Sequence, residues 1–206
     1  MTDLKKKYMR AALREAKKGA GKVSPNPLVG AVVVKDGNII GKGYHKVFGE
    51  NHAEINALDS CIRDPQGAEM YVNLEPCSHH GKTPPCVERI IKEKIKKVYI
   101  GLKDPSPHSN GKGIKILRKA GIEVETGVCE EESRLLNSVF LYSLKNDIPY
   151  IVLKAAISID GCIATDKDHS KWITCDKSRK KVHRLRNLYD AVLVGKNTVP
   201  NPQGSF

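Results

Sequence analysis

The 206-residue sequence predicts an α/β architecture, a layered sheet with helices on both faces. Three observations carry that expectation. Apolar runs of strand length alternate along the chain with segments of helical periodicity. Asp36-Gly37 separates two such runs, which marks a hairpin turn. Gly19 and Gly121 follow helical segments at positions suited to a C-terminal cap.

In order, residues 3–18 place Leu4, Tyr8, Ala12 and Ala16 four apart on one helical face, closed by Gly19. LVGAVVVK (28–35), the turn Asp36-Gly37-Asn38 and IIGKGY (39–44) form a hairpin. A helix is expected from about 52 to 62, a strand at 69–74, a long polar loop, and a helix from about 85 to 94. KVYIGL (97–102) reads as a strand, 111–121 as a helix, IEVETGV (122–128) as a strand, and 130–145 as one continuous helix. KNDIP (145–149) is polar and contains Pro149, so it reads as a linker. Beyond it come an expected strand YIVLKAAIS (150–158), a turn at Asp160-Gly161, a basic helix near 176–188 and a strand DAVLVG (190–195). The expected domains are therefore 1–145 and 150–206, joined by 146–149.

A 40% hydrophobic fraction supports a packed core and excludes wholesale disorder. No run approaches the ~20 apolar residues of a membrane span. MTDLKKKYMR has no apolar stretch after its lysines and is not a secretory signal, so a cytoplasmic location is expected, with no membrane partner. Cytosolic thiols stay reduced, which turns the six cysteines toward metal chemistry rather than disulfides. The formal charge of +12, from 35 Lys+Arg against 23 Asp+Glu, suits anionic partners, although a solvated lysine-rich surface explains it equally well. Residues 150–206 hold ten Lys+Arg and five Asp, so they are more basic than the rest. An aromatic content of 5% counts against a single-strand nucleic-acid binder, which stacks bases on rings.

The strongest chemical signal is His52-Ala53-Glu54 followed by Pro76-Cys77 and Cys86. One imidazole and two thiolates supply three zinc ligands and leave the fourth tetrahedral position to water, the arrangement of a catalytic site. His52 and Glu54 stand two apart at a helix start, so one can face the metal while the other addresses its water. Cys86 begins a helix behind Pro84-Pro85, where free N–H groups favour the thiolate. Separately, a His-x-Glu is usually surface and a cysteine usually buried; the ordered set is not explained that way. Cys61, Cys129, Cys162 and Cys175 have no motif partners and read as structural. Asp104-Pro105-Ser106-Pro107 with Gly111-Lys112-Gly113 could hold phosphate on backbone N–H groups, and turn chemistry explains it equally well.

Zinc nucleobase deaminases carry His-x-Glu…Pro-Cys-x-x-Cys. Here eight residues, SHHGKTPP, separate the cysteines. With that spacing, Asn26-Pro27-Leu28-Val29-Gly30, His52-Ala53-Glu54 and PCSHHGKTPPC (76–86) resemble the deaminase half of the bifunctional riboflavin-biosynthesis deaminase/reductase family. LKAAISIDGCIA (153–164), SKWIT (170–174), VHRLRN (182–187) and DAVLVGKNTV (190–199) resemble the start of its reductase domain. The resemblance implies a cytidine-deaminase-like three-layer α/β/α sandwich around a mixed sheet, then an incomplete dihydrofolate-reductase-like α/β segment.

It also implies one Zn2+ per chain on His52, Cys77 and Cys86, with Glu54 as the proton-transferring residue. The implied substrate is 2,5-diamino-6-(5-phosphoribosylamino)pyrimidin-4(3H)-one, whose 2-amino group is replaced by oxygen as ammonia leaves. Zinc lowers the pKa of bound water from roughly 15.7 to about 7, which supplies the nucleophile. Implied substrate contacts are Asn26, His45, His79, Lys82 and Thr83, the last three on the inter-cysteine loop. A complete reductase half would draw on Lys154, Ala156, Ser170, Trp172, Arg186 and Thr198 for NADPH and substrate. The chain departs from the family pattern after Val199, reading PNPQGSF, so deamination without reduction is expected, with NADPH used only if that half is completed. The expected partner is a small molecule rather than a nucleic acid, and a homo-oligomer is compatible with the sequence. Two other classes share the signals. A tRNA adenosine editor would use the same zinc chemistry. A non-enzymatic zinc-stabilised module would need a fourth protein ligand, for which His80 is the nearest candidate.

Overall fold

Val32, Val33 and Val34 alternate between the two faces of a central sheet, and that alternation splits the core in two. The computed structural model describes residues 2–81, 83–107, 109–146 and 148–196. They belong to two compact units, Met1–Tyr150 and Ile151–Phe206.

In the first unit, α1 (Thr2–Ala16) leads through a 3-10 turn, Lys17–Gly19, to β1 (Gly30–Lys35) and β2 (Asn38–Tyr44). Next come α2 (Ala53–Asp59), β3 (Glu69–Leu74), α3 (Cys86–Lys92), β4 (Lys97–Leu102), α4 (Lys112–Lys119) and β5 (Glu123–Thr126). Two short helices, α5 (Glu130–Leu136) and α6 (Ser138–Lys145), close the unit. The sheet order is β2-β1-β3-β4-β5. β1 pairs antiparallel with β2 and β3, while β3–β4 and β4–β5 are parallel, so the sheet is mixed. Ala31 stands opposite Val72, Val72 opposite Ile100, and Ile100 opposite Thr126, which fixes one register across four strands.

On one face Val33, Met70, Val72, Val98 and Ile100 pack against Ala53, Ala57 and Leu58 of α2, Val87 and Ile90 of α3, and Ile114 and Leu117 of α4. On the other, Val32, Val34, Tyr71 and Tyr99 meet Tyr8, Met9, Ala12 and Leu13 of α1, with Leu136 of α5 beside them. This is the expected three-layer α/β/α sandwich. Helix α2 can lie so close to β2 because Gly43 faces it: a β-carbon there would collide with the backbone of Ala57 and Ala53.

Two expectations change. The helix anticipated over 130–145 is broken at Asn137, whose φ of −104° and ψ of 21° leave the helical region. The strands anticipated at 150–158 and 190–195 do not form: among the described residues of the second unit the only helix or strand is α7 (Asp176–Arg186). A strand exists through its ladder, and these apolar runs have no pairing neighbour among the described residues. Leu153, Ile159 and Leu193 consequently lie almost fully exposed.

Candidate metal centre and active-site pocket

His52 caps α2 from an extended conformation, φ −72° and ψ 166°, which leaves its ring at the mouth of the first helical turn. Its Nδ1 lies 3.4 Å from the Sγ of Cys77 and 3.3 Å from the Sγ of Cys86. The three ligand atoms fall within 4.8 Å of one another. Cys77 follows the end of β3, and Cys86 is the buried first residue of α3. The β3 exit and the α2 and α3 starts thus converge on one point.

The donor set fits zinc: one imidazole nitrogen and two sulfurs suit a borderline-soft tetrahedral ion. Nitrogen and sulfur sharing such an ion stand about 3.6 Å apart for ordinary zinc bond lengths, close to the observed separations. Electrostatics agree. Hydrogen bonding from Cys86, its thiol first and its backbone N–H besides, holds the Cys77 thiol down to about 4 against the opposing effect of burial. The hydrogen bond with Cys77 raises His52, again against burial.

Glu54 is 3% exposed on the same turn. Burial, reinforced by the negative charge of Cys77, pushes its carboxyl up to about 7. A group poised there both takes and gives a proton at neutral pH.

A cavity of about 440 Å³ opens over these groups, with His52, Glu54 and Cys77 in its lining. Asn26, His45, His79 and Thr83 line it too. Asn26 Nδ2 lies 3.1 Å from His45 Nε2, and His45 Nδ1 lies 3.2 Å from the carbonyl of Asn51. That carbonyl only accepts, so Nδ1 carries the proton and Nε2 accepts from Asn26. Burial lowers the His45 pKa and so favours this neutral ring. Lys82 lies outside the described residues. His80 is exposed and sits 3.6 Å from Glu88 Oε1, away from the three-ligand cluster.

The sequence reading places Asp104 and Ser106 only within a candidate phosphate loop and misses Ser109, Phe48 and Phe140; all five line the cavity. The available signal was topological: Asp104 follows β4, the parallel neighbour of β3, and ligands gather at the carboxyl ends of such strands. The backbone phosphate site considered at Gly111-Lys112-Gly113 is already served. The buried Glu75 carboxylate accepts from the N–H groups of Gly111, at 3.0 Å, and Ile114, at 3.3 Å.

Of the reductase-type residues, Lys154, Ala156, Ser170, Trp172 and Arg186 belong to the second unit. Lys154, Ser170 and Trp172 are exposed, and Ala156 and Arg186 half-buried. The Arg179 guanidinium stacks 4.3 Å from the Trp172 ring centre. Thr198 lies outside the described residues.

The fold is of the cytidine-deaminase type, and the site carries the donor set of a zinc centre. The family "Cytidine and deoxycytidylate deaminase zinc-binding region" matches residues 2–102, and "RibD C-terminal domain" matches 149–203. Its relatives include riboflavin biosynthesis proteins RibD, to which this chain is similar over most of its own length. The RibD protein of Aquifex aeolicus (strain VF5) is 52% identical over 197 residues, 96% of this chain and 55% of the relative. That of Escherichia coli (strain K12) is 43% identical over 192 residues, 93% of this chain and 52% of the relative. The chain spans about half the length of the curated relatives it matches.

Among solved structures, a diaminohydroxyphosphoribosylaminopyrimidine deaminase/5-amino-6-(5-phosphoribosylamino)uracil reductase from Thermotoga maritima matches with a TM-score of 0.91 and 50% identity, covering 97% of this chain and 57% of that one. A dCMP deaminase from the cyanophage S-TIM5, in complex with dCMP and dUMP, matches with a TM-score of 0.51 and 26% identity, over 61% of this chain and 98% of that one. Zinc is the metal of this deaminase family, and NADPH is the cofactor its reductase domain suggests. Among the described residues no helix is long and apolar enough to cross a membrane.

Proposed function

We propose that this chain deaminates 2,5-diamino-6-(5-phosphoribosylamino)pyrimidin-4(3H)-one, releasing ammonia and leaving 5-amino-6-(5-phosphoribosylamino)uracil. The observation that carries this reading is the buried Glu54 carboxyl, two residues from the His52 ligand, in the lining of a cavity with room for a nucleotide-sized ring and ribose.

His52, Cys77 and Cys86 hold the zinc, which supplies Lewis acidity and a water activated at neutral pH. Glu54 takes the proton released as water adds to the ring carbon bearing the amine. It passes that proton to the neighbouring ring nitrogen, then takes the remaining proton of the added hydroxyl and delivers it to the amino group as the C–N bond breaks and the carbonyl forms, so ammonia leaves neutral. Asn26 fixes the substrate over Glu54 through the amide oxygen and second N–H that His45 leaves free, and the neutral His45 ring, its two nitrogens committed to Asn26 and the Asn51 carbonyl, holds that amide in the cavity wall. His79 and Thr83 bring the inter-cysteine loop to the cavity, and Lys82 between them supplies a cation for the phosphate.

The second unit is read as contributing no reduction in this chain by itself. Its described part carries one helix and no strand, and Lys154, Ser170 and Trp172 are open to solvent. Substrate-dependent oxidation of NADPH by the purified chain would contradict that part of the reading.

The substrate class is tested through Lys82. Lys82→Ala is expected to weaken use of the phosphorylated pyrimidine far more than use of its dephosphorylated analogue. Equal losses on both remove the phosphate from this loop.

A further inference from the structure

We propose that Asn137, acting with Asn73, is a positioning residue for the substrate-binding Asn26. The inference rests on the proposed contact between Asn26 and the substrate.

Two buried side-chain amides converge on one short stretch of backbone. Asn137 Oδ1 accepts from the Leu28 N–H at 2.8 Å, and Asn137 Nδ2 donates to the Leu28 carbonyl at 3.0 Å. Asn73 Nδ2 donates to the same carbonyl at 2.9 Å, and Asn73 Oδ1 accepts from the Gly30 N–H at 2.8 Å. Four hydrogen bonds therefore fix the segment that joins Asn26 to β1. Asn73 and Asn137 are 0% and 2% exposed, so water does not compete for these bonds.

The two amides come from different walls of the site. Asn73 stands on β3, four residues before Cys77. Asn137 follows Ser133 by four residues, and Ser133 seats α5 on β4 where Gly101 leaves no β-carbon in the way. After Asn137 the chain turns into α6, whose Phe140 and Leu144 line the cavity. Leu28 is thus the point where the metal strand, the α5–α6 wall and the Asn26 loop are tied together. Two residues before it, Asn26 holds His45 Nε2 at 3.1 Å. The break at Asn137 also has a reason here, because its side chain is committed to a peptide 109 residues earlier.

A double-mutant cycle on the zinc-loaded chain tests this. Asn26→Ala and Asn137→Ala are each expected to raise KM for the phosphoribosyl pyrimidine about tenfold, with kcat changed less and zinc content unchanged. In the Asn26→Ala background, Asn137→Ala should then add less than about twofold to KM, because the residue it positions is gone. A merely structural role lowers the folded fraction, and with it apparent kcat, while KM stays put. That result, or additive KM effects, overturns the proposal. No KM effect from Asn26→Ala alone overturns the reading of Asn26 and this inference with it. If Asn137→Ala does not accumulate as folded protein, Asn137→Asp, which keeps an acceptor for the Leu28 N–H, takes its place in the cycle.

Discussion

The backbone N–H of Cys86 donates to the Sγ of Cys77 at 3.3 Å, so the first residue of α3 serves the metal centre through its amide as well as its sulfur. Replacing the sulfur leaves the amide in place and isolates the ligand role. Cys86→Ser is expected to lose zinc and activity together, since a hydroxyl is a poor substitute for a thiolate on zinc. Elemental analysis should give about one zinc per wild-type chain and far less for the variant. Full zinc retention in Cys86→Ser removes it from the ligand set.

Glu54 is assigned the protons and not the metal. Glu54→Gln is nearly isosteric and cannot shuttle a proton, so it should keep zinc and lose ~10²–10⁴-fold in turnover. Turnover within tenfold of wild type would show that another group moves the proton.

Burial of Glu54 also has a signature in the metal-free protein. Its carboxyl is raised from 4.5 to about 7, so the folded state holds a proton that the unfolded chain releases at lower pH. Below the ordinary carboxylate range both states are protonated and the group costs nothing. As pH rises through about 7, stability is lost, by up to about 3 kcal/mol from this group. Metal-free Glu54→Gln should therefore exceed metal-free wild type in Tm by a margin that grows from about pH 5 to about pH 8. A margin independent of pH contradicts the assignment of the shift to Glu54.

Glu75 ties the Cys77 segment to the far wall. Its carboxylate accepts from the N–H groups of Asp104, Gly111 and Ile114 at 3.2, 3.0 and 3.3 Å. Glutamine offers one acceptor oxygen and turns an NH2 toward at least one of those donors. Glu75→Gln should cost about 1–3 kcal/mol, a Tm loss of roughly 2–4 °C for each kcal/mol at this chain length. An unchanged Tm in a thermal melt would mean the three N–H groups find other acceptors.

The legible parts of this molecule are those governed by neighbours in sequence. Strands 69–74 and 97–102 appear at the bounds their apolar runs predict, because each is a buried central strand bounded by turn residues. His52, Cys77 and Cys86, which the fold brings within ligand distance of one another, stand out in the sequence because ligand type and order carry the chemistry without any fold. What could not be read depends on distant partners. Helix 130–145 has uninterrupted helical periodicity, and only the Leu28 peptide explains its break at Asn137. The run at 150–158 has strand composition, but its pairing lies with other strands, and none stands beside it among the described residues. Asp104 and Ser106 resemble ordinary turn residues until β4 is seen to end beside β3.

The central claim is a specific hydrolytic deamination on zinc, and ammonia release tests it most directly. Purified zinc-loaded chain is offered, in parallel, the phosphoribosyl diaminopyrimidinone, dCMP and an extracted RNA pool. The account predicts one ammonia per phosphoribosyl pyrimidine consumed, abolished when a chelator strips the metal and restored by zinc, with little release from the other two. Ammonia from dCMP or RNA, with none from the phosphoribosyl pyrimidine, would contradict it.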